Sequence, residues 1–330
     1  GETAAGKSLL TASILAQCQR KGGLAIYIDT ENAVANEFFE MLGMDLSKMI
    51  YAPIETIEDA FAVIETIIEK VRISDKDRLV CIAIDSIMGA TTKVEQDADY
   101  EKDGWATTKA ILMSKAMRKI TNIIAKQRVL LICSSQLREK MGVMFGDKYT
   151  TSGGKALGFH ASCRIRLKGV GKLKSGSGKT EQIIGVQTEA QVIKNRMGPP
   201  MRSVEFDIYF DRGIDNYGNW LEKLIEWDVV TNAKKVKVAG EKKTKKQLEE
   251  EKEEDKKAKN LQFIMEVAGK EPETVVFEKR DLPKLLVDRP ECKEYLYSKI
   301  CEQFVMKYKA PNSEMADDIS YDSEAEGMED

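Results

Sequence analysis

The first eight residues, Gly1-Glu2-Thr3-Ala4-Ala5-Gly6-Lys7-Ser8, set two glycines, a lysine and a serine at the spacing G-x-x-x-x-G-K-[ST]. They run straight into an apolar helical pattern, Leu9 to Gln19. Gly1 and Gly6 let the backbone wrap a phosphate chain with its N–H groups, Lys7 has the reach for β and γ phosphates, and Ser8 offers a hydroxyl to Mg²⁺ at a helix N-terminus. The apolar run Leu79 to Ile84 ends in Asp85, a carboxylate placed to hold the metal's coordination sphere. A second run, Leu24 to Asp29, delivers Glu31 just past its carboxyl end, where it could polarise an attacking water. From spacing alone, the other reading of Glu31 is a solvated acid in the first turn of the next helix.

Two features look chemical and are not. Ser177-Gly178-Lys179-Thr180 copies the end of the phosphate-binding motif, but Leu173 stands where its first glycine belongs, and Gly169, Gly171, Gly176 and Gly178 mark a hairpin. His160 is the one histidine, has no Cys or His near it in sequence, and receives no catalytic role.

The elements that must position these groups follow from periodicity. Short apolar runs at Leu24 to Asp29, Met49 to Pro53, Leu79 to Asp85 and Val129 to Ser134 alternate with helical patterns, the signature of strand, crossover helix and parallel strand. One helix begins at a capping signal, Thr56 with Asp59, and carries Phe61, Ile64, Ile67, Ile68 and Val71 on one face. Another is expected from about Trp105 to Gln127, with Ile111, Met113, Met117, Ile120 and Ile124 as its stripe. Beyond residue 135 the pattern turns to Gly- and Thr-rich loop and then to alternating strands around Ala161 to Lys168, Gln182 to Lys194 and Val204 to Phe210, an antiparallel extension of the same sheet.

The chain is 330 residues long, 42% hydrophobic and 32% charged, which suits a folded α/β core plus a smaller domain and excludes a disordered chain. Its apolar runs, such as Leu79 to Ile84 and Val129 to Cys133, are far below the ~18 residues of a membrane-spanning helix. The six cysteines form no Cys-x-x-Cys pair, which argues against zinc or a disulfide framework and for a reducing compartment, the cytoplasm by default. Net charge is −3, yet residues 310–330 hold eight acids and no base, so the body ahead of that tail is net basic. Such a tail either competes with polyanions for a basic surface or merely aids solubility. We divide the chain into a core at 1–230, a charged helix or linker at 231–260, in which 18 of the 27 residues 233–259 are charged, a small domain at 261–309 and an acidic disordered tail at 310–330.

With the motif at Gly1 to Ser8, Tyr27-Ile-Asp-Thr-Glu31, Asp85-Ser86 and, above all, the stretch from Ser134-Ser-Gln136 to Ser152-Gly-Gly-Lys155, the chain resembles the RecA family of recombinases, and most nearly its phage UvsX-type branch. The resemblance runs from residue 1 to about 215. It implies a P-loop NTPase fold of mostly parallel sheet, with ATP and Mg²⁺ as cofactors. Glu31 falls where the family activates water, Phe38 where an aromatic ring stacks on adenine, and Gln136 where a glutamine senses the γ-phosphate. Lys194 and Arg196 match a basic pair that reaches a neighbouring subunit's nucleotide. The loop from Arg138 to Gly154 matches a DNA-binding loop. Within it Arg138, Lys140 and Lys148 offer phosphate contacts, Met141 is an apolar wedge beside Val143, Met144 and Phe145, and Gly142, Gly146, Gly153 and Gly154 keep it mobile until a ligand orders it.

The resemblance further implies an ATP-dependent recombinase that forms a helical filament on single-stranded DNA and pairs it with duplex DNA. Single-strand-binding and mediator proteins would be its partners, with no membrane role and a cytoplasmic location, that of the host cell if phage-encoded. Ala35 stands where bacterial relatives have an acid near the adenine. The family's polymerisation segment and first core strand would lie upstream of Gly1. Two other readings stay open at this point: a hexameric helicase on the same core, and an inactive DNA-binding fragment.

Overall fold

The apolar runs at Leu24–Asp29 and Val80–Asp85 form strands buried on both faces, those at Met49–Pro53 and Val129–Cys133 form partly exposed outer strands, and the intervening periodic stretches form the helices that cover the sheet. The computed structural model describes residues 1–98, 105–139, 149–150, 156–233, 260–266 and 271–304. It divides into two units, Gly1–Glu222 and Lys223–Asp330.

In the first unit, α1 (Lys7–Arg20) leads to β1 (Leu24–Asp29), α2 (Asn36–Met41), β2 (Met49–Pro53), α3 (Ile57–Ser74) and β3 (Val80–Asp85). After these come α4 (Lys93–Gln96), α5 (Trp105–Lys126) and β4 (Val129–Cys133). The four strands form one parallel sheet in the order β2-β1-β3-β4, with Asp29 in register with Asp85. Side chains alternate across it. Ile26, Ile28, Val80, Ile82 and Ile84 meet Ile57, Phe61, Ile64, Met113, Met117 and Ile120 from α3 and α5. Ala25, Tyr27, Cys81 and Ala83 meet Ala12, Leu15 and Ala16 of α1 and Phe39 of α2 on the other face.

The expected start of α3 is confirmed with a different bond pattern. Thr56 Oγ1 accepts from the Asp59 amide, but Asp59 returns its carboxylate to the Thr56 hydroxyl (2.7 Å) rather than to the Thr56 amide. A reciprocal capping box opens α4 instead, between Thr92 and Glu95.

A two-residue ladder, β5 (Arg138–Glu139) with β6 (Tyr149–Thr150), follows β4, and then α6 (Ala156–His160). The long hairpin of β7 (Cys163–Ser175) and β8 (Gln182–Asn195), with β9 (Ser203–Tyr209) and β10 (Gly213–Ile214), makes an antiparallel sheet in the order β10-β9-β8-β7. The glycine cluster at 176–178 is the turn of that hairpin, as its composition implies. These strands form a sheet of their own rather than extending the parallel one edge to edge. Gly1 and Glu2 run between the two and hydrogen-bond to the segment after β4 and to β7. The Gly1 nitrogen donates to the Ser135 carbonyl (2.9 Å), Leu137 N donates to the Gly1 carbonyl (3.0 Å), and Glu2 N donates to the Leu167 carbonyl of β7 (3.0 Å).

Helix α7 (Asn216–Glu226) spans the division between units. In the second unit, β11 (Thr231–Asn232), β12 (Asn260–Met265) and β13 (Glu273–Glu278) form an antiparallel sheet in that order, followed by α8 (Leu282–Asp288) and α9 (Pro290–Phe304). Alternate strand residues Leu261, Phe263, Met265, Val275 and Phe277 are buried, together with Leu282, Leu286, Cys292 and Leu296. The charged run at 234–259 and the acidic tail at 310–330 lie outside the described residues.

Candidate functional site

The parallel strands all point one way, so their carboxyl ends gather side chains that lie far apart in sequence, and the loop before α1 lies on that same edge. Gly6 is the N-cap of α1 in the left-handed region (φ 81°), with no side-chain cap. The first amides of a helix have no intrahelical acceptor, so here they face the loop unsatisfied by any capping side chain. The left-handed φ is what favours glycine here, and a Cβ would in addition push aside the Ile208 side-chain end, 2.4 Å away at Cδ1. Lys7 folds its ammonium back over the loop to the Glu2 carbonyl (2.6 Å). Burial holds its pKa below the usual lysine value, and the carboxylates of Asp85 and Glu31 partly offset that. Uncapped amides, a glycine cradle and a partly desolvated cation together fit a polyphosphate. Ser8 and Asp85 fit its Mg²⁺.

Two strand-ending aspartates compete for that metal role, and their donors separate them. Asp29, 1% exposed, accepts from Glu31 N (3.0 Å), Ala33 N (3.1 Å), Val34 N (3.2 Å) and Tyr51 Oη (2.9 Å). Those four bonds use about all the sites a carboxylate has. Asp29 therefore shapes the loop that carries Glu31. Among the described residues, Asp85 accepts from two donors, Tyr27 Oη (2.6 Å) on Oδ2 and Ser134 Oγ on Oδ1, fewer than a carboxylate can take. Tyr27 is fully buried, and burial first, then Asp85, pushes its phenol far above the ordinary tyrosine value.

Glu31 lies at the same edge. Its Oε1 accepts from Ser86 Oγ (2.6 Å), Ser86 Oγ in turn accepts from Gly89 N (3.0 Å), and Thr30 Oγ1 donates to the Ser86 carbonyl (2.6 Å). A Cβ on Gly89 would lie 2.6 Å from Glu31 Cγ, so glycine is what admits the glutamate there. Gln136 is exposed on the segment leaving β4, and Ser135 and Leu137 on either side of it bond Gly1. The structure thus brings together Lys7, Ser8, Glu31, Asp85 and Gln136 with the loop Gly1 to Gly6.

Other expected residues sit elsewhere. Phe38 is half-buried on α2 against Phe39 (5.6 Å between ring centroids). Lys194 donates to the carbonyls of Gly158 (2.9 Å) and Phe159 (2.7 Å), and Arg196 donates to Phe159 (3.1 Å), so both grip the end of α6. Burial first, then Arg196 and Arg164, lowers the Lys194 pKa. The backbone of Arg138 pairs with Thr150. Lys140, Met141, Gly142, Val143, Met144, Phe145, Gly146, Lys148, Gly153 and Gly154 lie outside the described residues. His160 Nδ1 lies 3.3 Å from the Thr121 hydroxyl, its ring packs edge-on to Phe159, and it belongs to no metal-ligand cluster among the described residues.

Sequence reasoning passed over Tyr27, Ser86, Gly89 and Ser134 as members of the site. The signal available was a tyrosine inside the buried strand Leu24 to Asp29, whose hydroxyl requires a partner.

The model of the RecA N-terminal domain matches residues 1–215. The chain is 36% identical over 231 residues to protein RecA of Helicobacter pylori (strain G27), covering 70% of this chain and 63% of the relative. It is 35% identical over 230 residues to protein RecA of Clostridioides difficile (strain 630), with 70% and 63% covered. It is 33% identical over 230 residues to protein RecA of Chlorobium limicola, again with 70% and 63% covered. The chain therefore spans 63% of the length of these curated relatives. No described helix is long and apolar enough to cross a membrane.

Proposed function

Because the chain belongs to the RecA family, we propose that it is an ATP-dependent DNA recombinase of the phage type, which assembles on single-stranded DNA and pairs it with homologous duplex. The observation that carries this reading is the convergence of Lys7, Ser8, Asp85, Glu31 and Gln136 on one sheet edge, directly before the loop 138–154. When bound, ATP with Mg²⁺ supplies the transferable phosphoryl group and the cation that neutralises its oxygens. The loop amides and Lys7 bind and orient the phosphates. Asp85 and Ser8 hold the cation's shell. Glu31, oriented by Ser86, takes the proton of the attacking water. Gln136, bonded through its neighbours to the first residue of the loop, relays the state of the phosphates to the segment beginning at Arg138.

Lys194 and Arg196 serve a neighbouring protomer's nucleotide, and Phe38 serves the base. Arg138, Lys140 and the apolar residues after them contact DNA. Filament formation, single-strand-binding and mediator partners and a cytoplasmic site of action belong to the same proposal. The test is ATP hydrolysis with and without single-stranded DNA at low salt, with Lys7→Ala as the blank. DNA-stimulated hydrolysis that is absent in Lys7→Ala is expected, and stimulation should weaken steeply as salt rises because phosphate contacts release counterions. Equal hydrolysis by parent and Lys7→Ala would refute it.

A further inference from the structure

Asp85 meets its two donors on adjacent strands. Tyr27 on β1 and Ser134 beyond β4 flank it on the face that α1 covers, and each takes one carboxylate oxygen. The phenol is long enough to span the offset, since Asp29, two residues beyond Tyr27, is the residue in register with Asp85. Its ring is locked edge-on against Phe39 (centroids 4.9 Å apart) and parallel to Tyr51 (6.5 Å). A phenylalanine would pack there equally well, so packing does not account for the hydroxyl. Tyr27 has one proton and gives it to Asp85, and with Ser134 on the other oxygen it fixes the plane in which that carboxylate can meet a cation.

Resting on the nucleotide reading above, we infer that Tyr27, with Ser134, is a positioning residue that sets how tightly this site holds Mg²⁺. Each holds one oxygen of Asp85, the carboxylate assigned to the metal. A merely structural hydroxyl would weaken nucleotide binding by the same factor at every Mg²⁺ concentration. A positioning hydroxyl moves the Mg²⁺ half-saturation point, and excess Mg²⁺ restores the binding.

The experiment is a Mg²⁺ titration of a fluorescent, non-hydrolysable ATP analogue on the full chain, comparing parent, Tyr27→Phe, Ser134→Ala and Lys7→Ala, with a thermal melt of each. Loss of a hydrogen bond to a charged group predicts that half-saturation rises about tenfold in Tyr27→Phe, with a rise in Ser134→Ala as well and parent-like binding recovered at high Mg²⁺. A Tyr27→Phe curve that overlays the parent's, or a weakening that no Mg²⁺ concentration repairs, overturns the inference while leaving the nucleotide site intact. If Tyr27→Phe does not fold, Ser134→Ala decides, and an unshifted curve overturns it. If parent and Lys7→Ala bind the analogue alike, the nucleotide reading itself has failed and the inference falls with it.

Discussion

Replacing Gly89 by alanine tests whether the position of Glu31 is what limits hydrolysis. The Gly89 backbone has no left-handed φ, so alanine is allowed there. Its Cβ, however, would stand 2.6 Å from Glu31 Cγ and 2.9 Å from Oε1. Carbon atoms rest at ~3.5–4.0 Å, so Glu31 must retreat by about 1 Å. It is exposed and has room to do so, but the move breaks its 2.6 Å bond with Ser86. A misplacement of about 1 Å costs on the order of 10²-fold in rate. At 1.36 kcal/mol per tenfold, that is a barrier higher by about 2.7 kcal/mol. The near neighbours of the new methyl group belong to Glu31 and Thr30, not to the loop Gly1 to Gly6, so the loss should fall on kcat with nucleotide affinity kept. Single-turnover ATP hydrolysis with a parallel nucleotide titration separates the two. Hydrolysis within about twofold of the parent, in a background where Glu31→Gln is slow, would refute the claim that Gly89 and Ser86 set this geometry. If Glu31→Gln keeps the parent rate, the water-activating role itself is wrong.

Tyr51→Phe removes one of four donors from Asp29, so a thermal or denaturant melt should show a loss of about 1 kcal/mol, with the Mg²⁺ half-saturation point unmoved. An equal shift in Mg²⁺ dependence for Tyr51→Phe and Tyr27→Phe would remove the distinction drawn between the two aspartates. Burial pushes the Cys81 thiol up to about 12. An unfolded cysteine titrates near ~8.5, so the native state keeps a proton that the unfolded chain gives up. The stability this confers is complete below about pH 8.5 and is lost as pH climbs toward 12. Alkylation at pH 9 read by mass spectrometry should therefore label exposed Cys163 at once and Cys81 only on unfolding.

Much of this was legible in residue order because it depends on local patterns. The bounds of β1 and β2 follow from unbroken apolar runs, and α3 and α5 from stripes at helical spacing. The role proposed for the loop Gly1 to Ser8 needs only backbone amides and two adjacent side chains, so contiguous sequence contains the whole motif. Asp85 and Glu31 were legible as strand-end carboxylates because parallel strands deliver their ends to one edge. What no local pattern carries is the choice between chemically equal groups. Asp29 and Asp85 each end an apolar strand, and only the count of donors converging from other strands makes the first a loop anchor and the second available to a cation. The same holds for Ser134 on Asp85, Ser86 on Glu31 and Gly89 making room for that glutamate, contacts set by sheet order and register. That the antiparallel strands stand as a sheet of their own, with Gly1 and Glu2 bonded to Ser135, Leu137 and Leu167 between the two, is likewise a matter of tertiary contacts. Backbone hydrogen bonds over such sequence distances form only once the chain has folded, which is why tertiary structure alone could decide them.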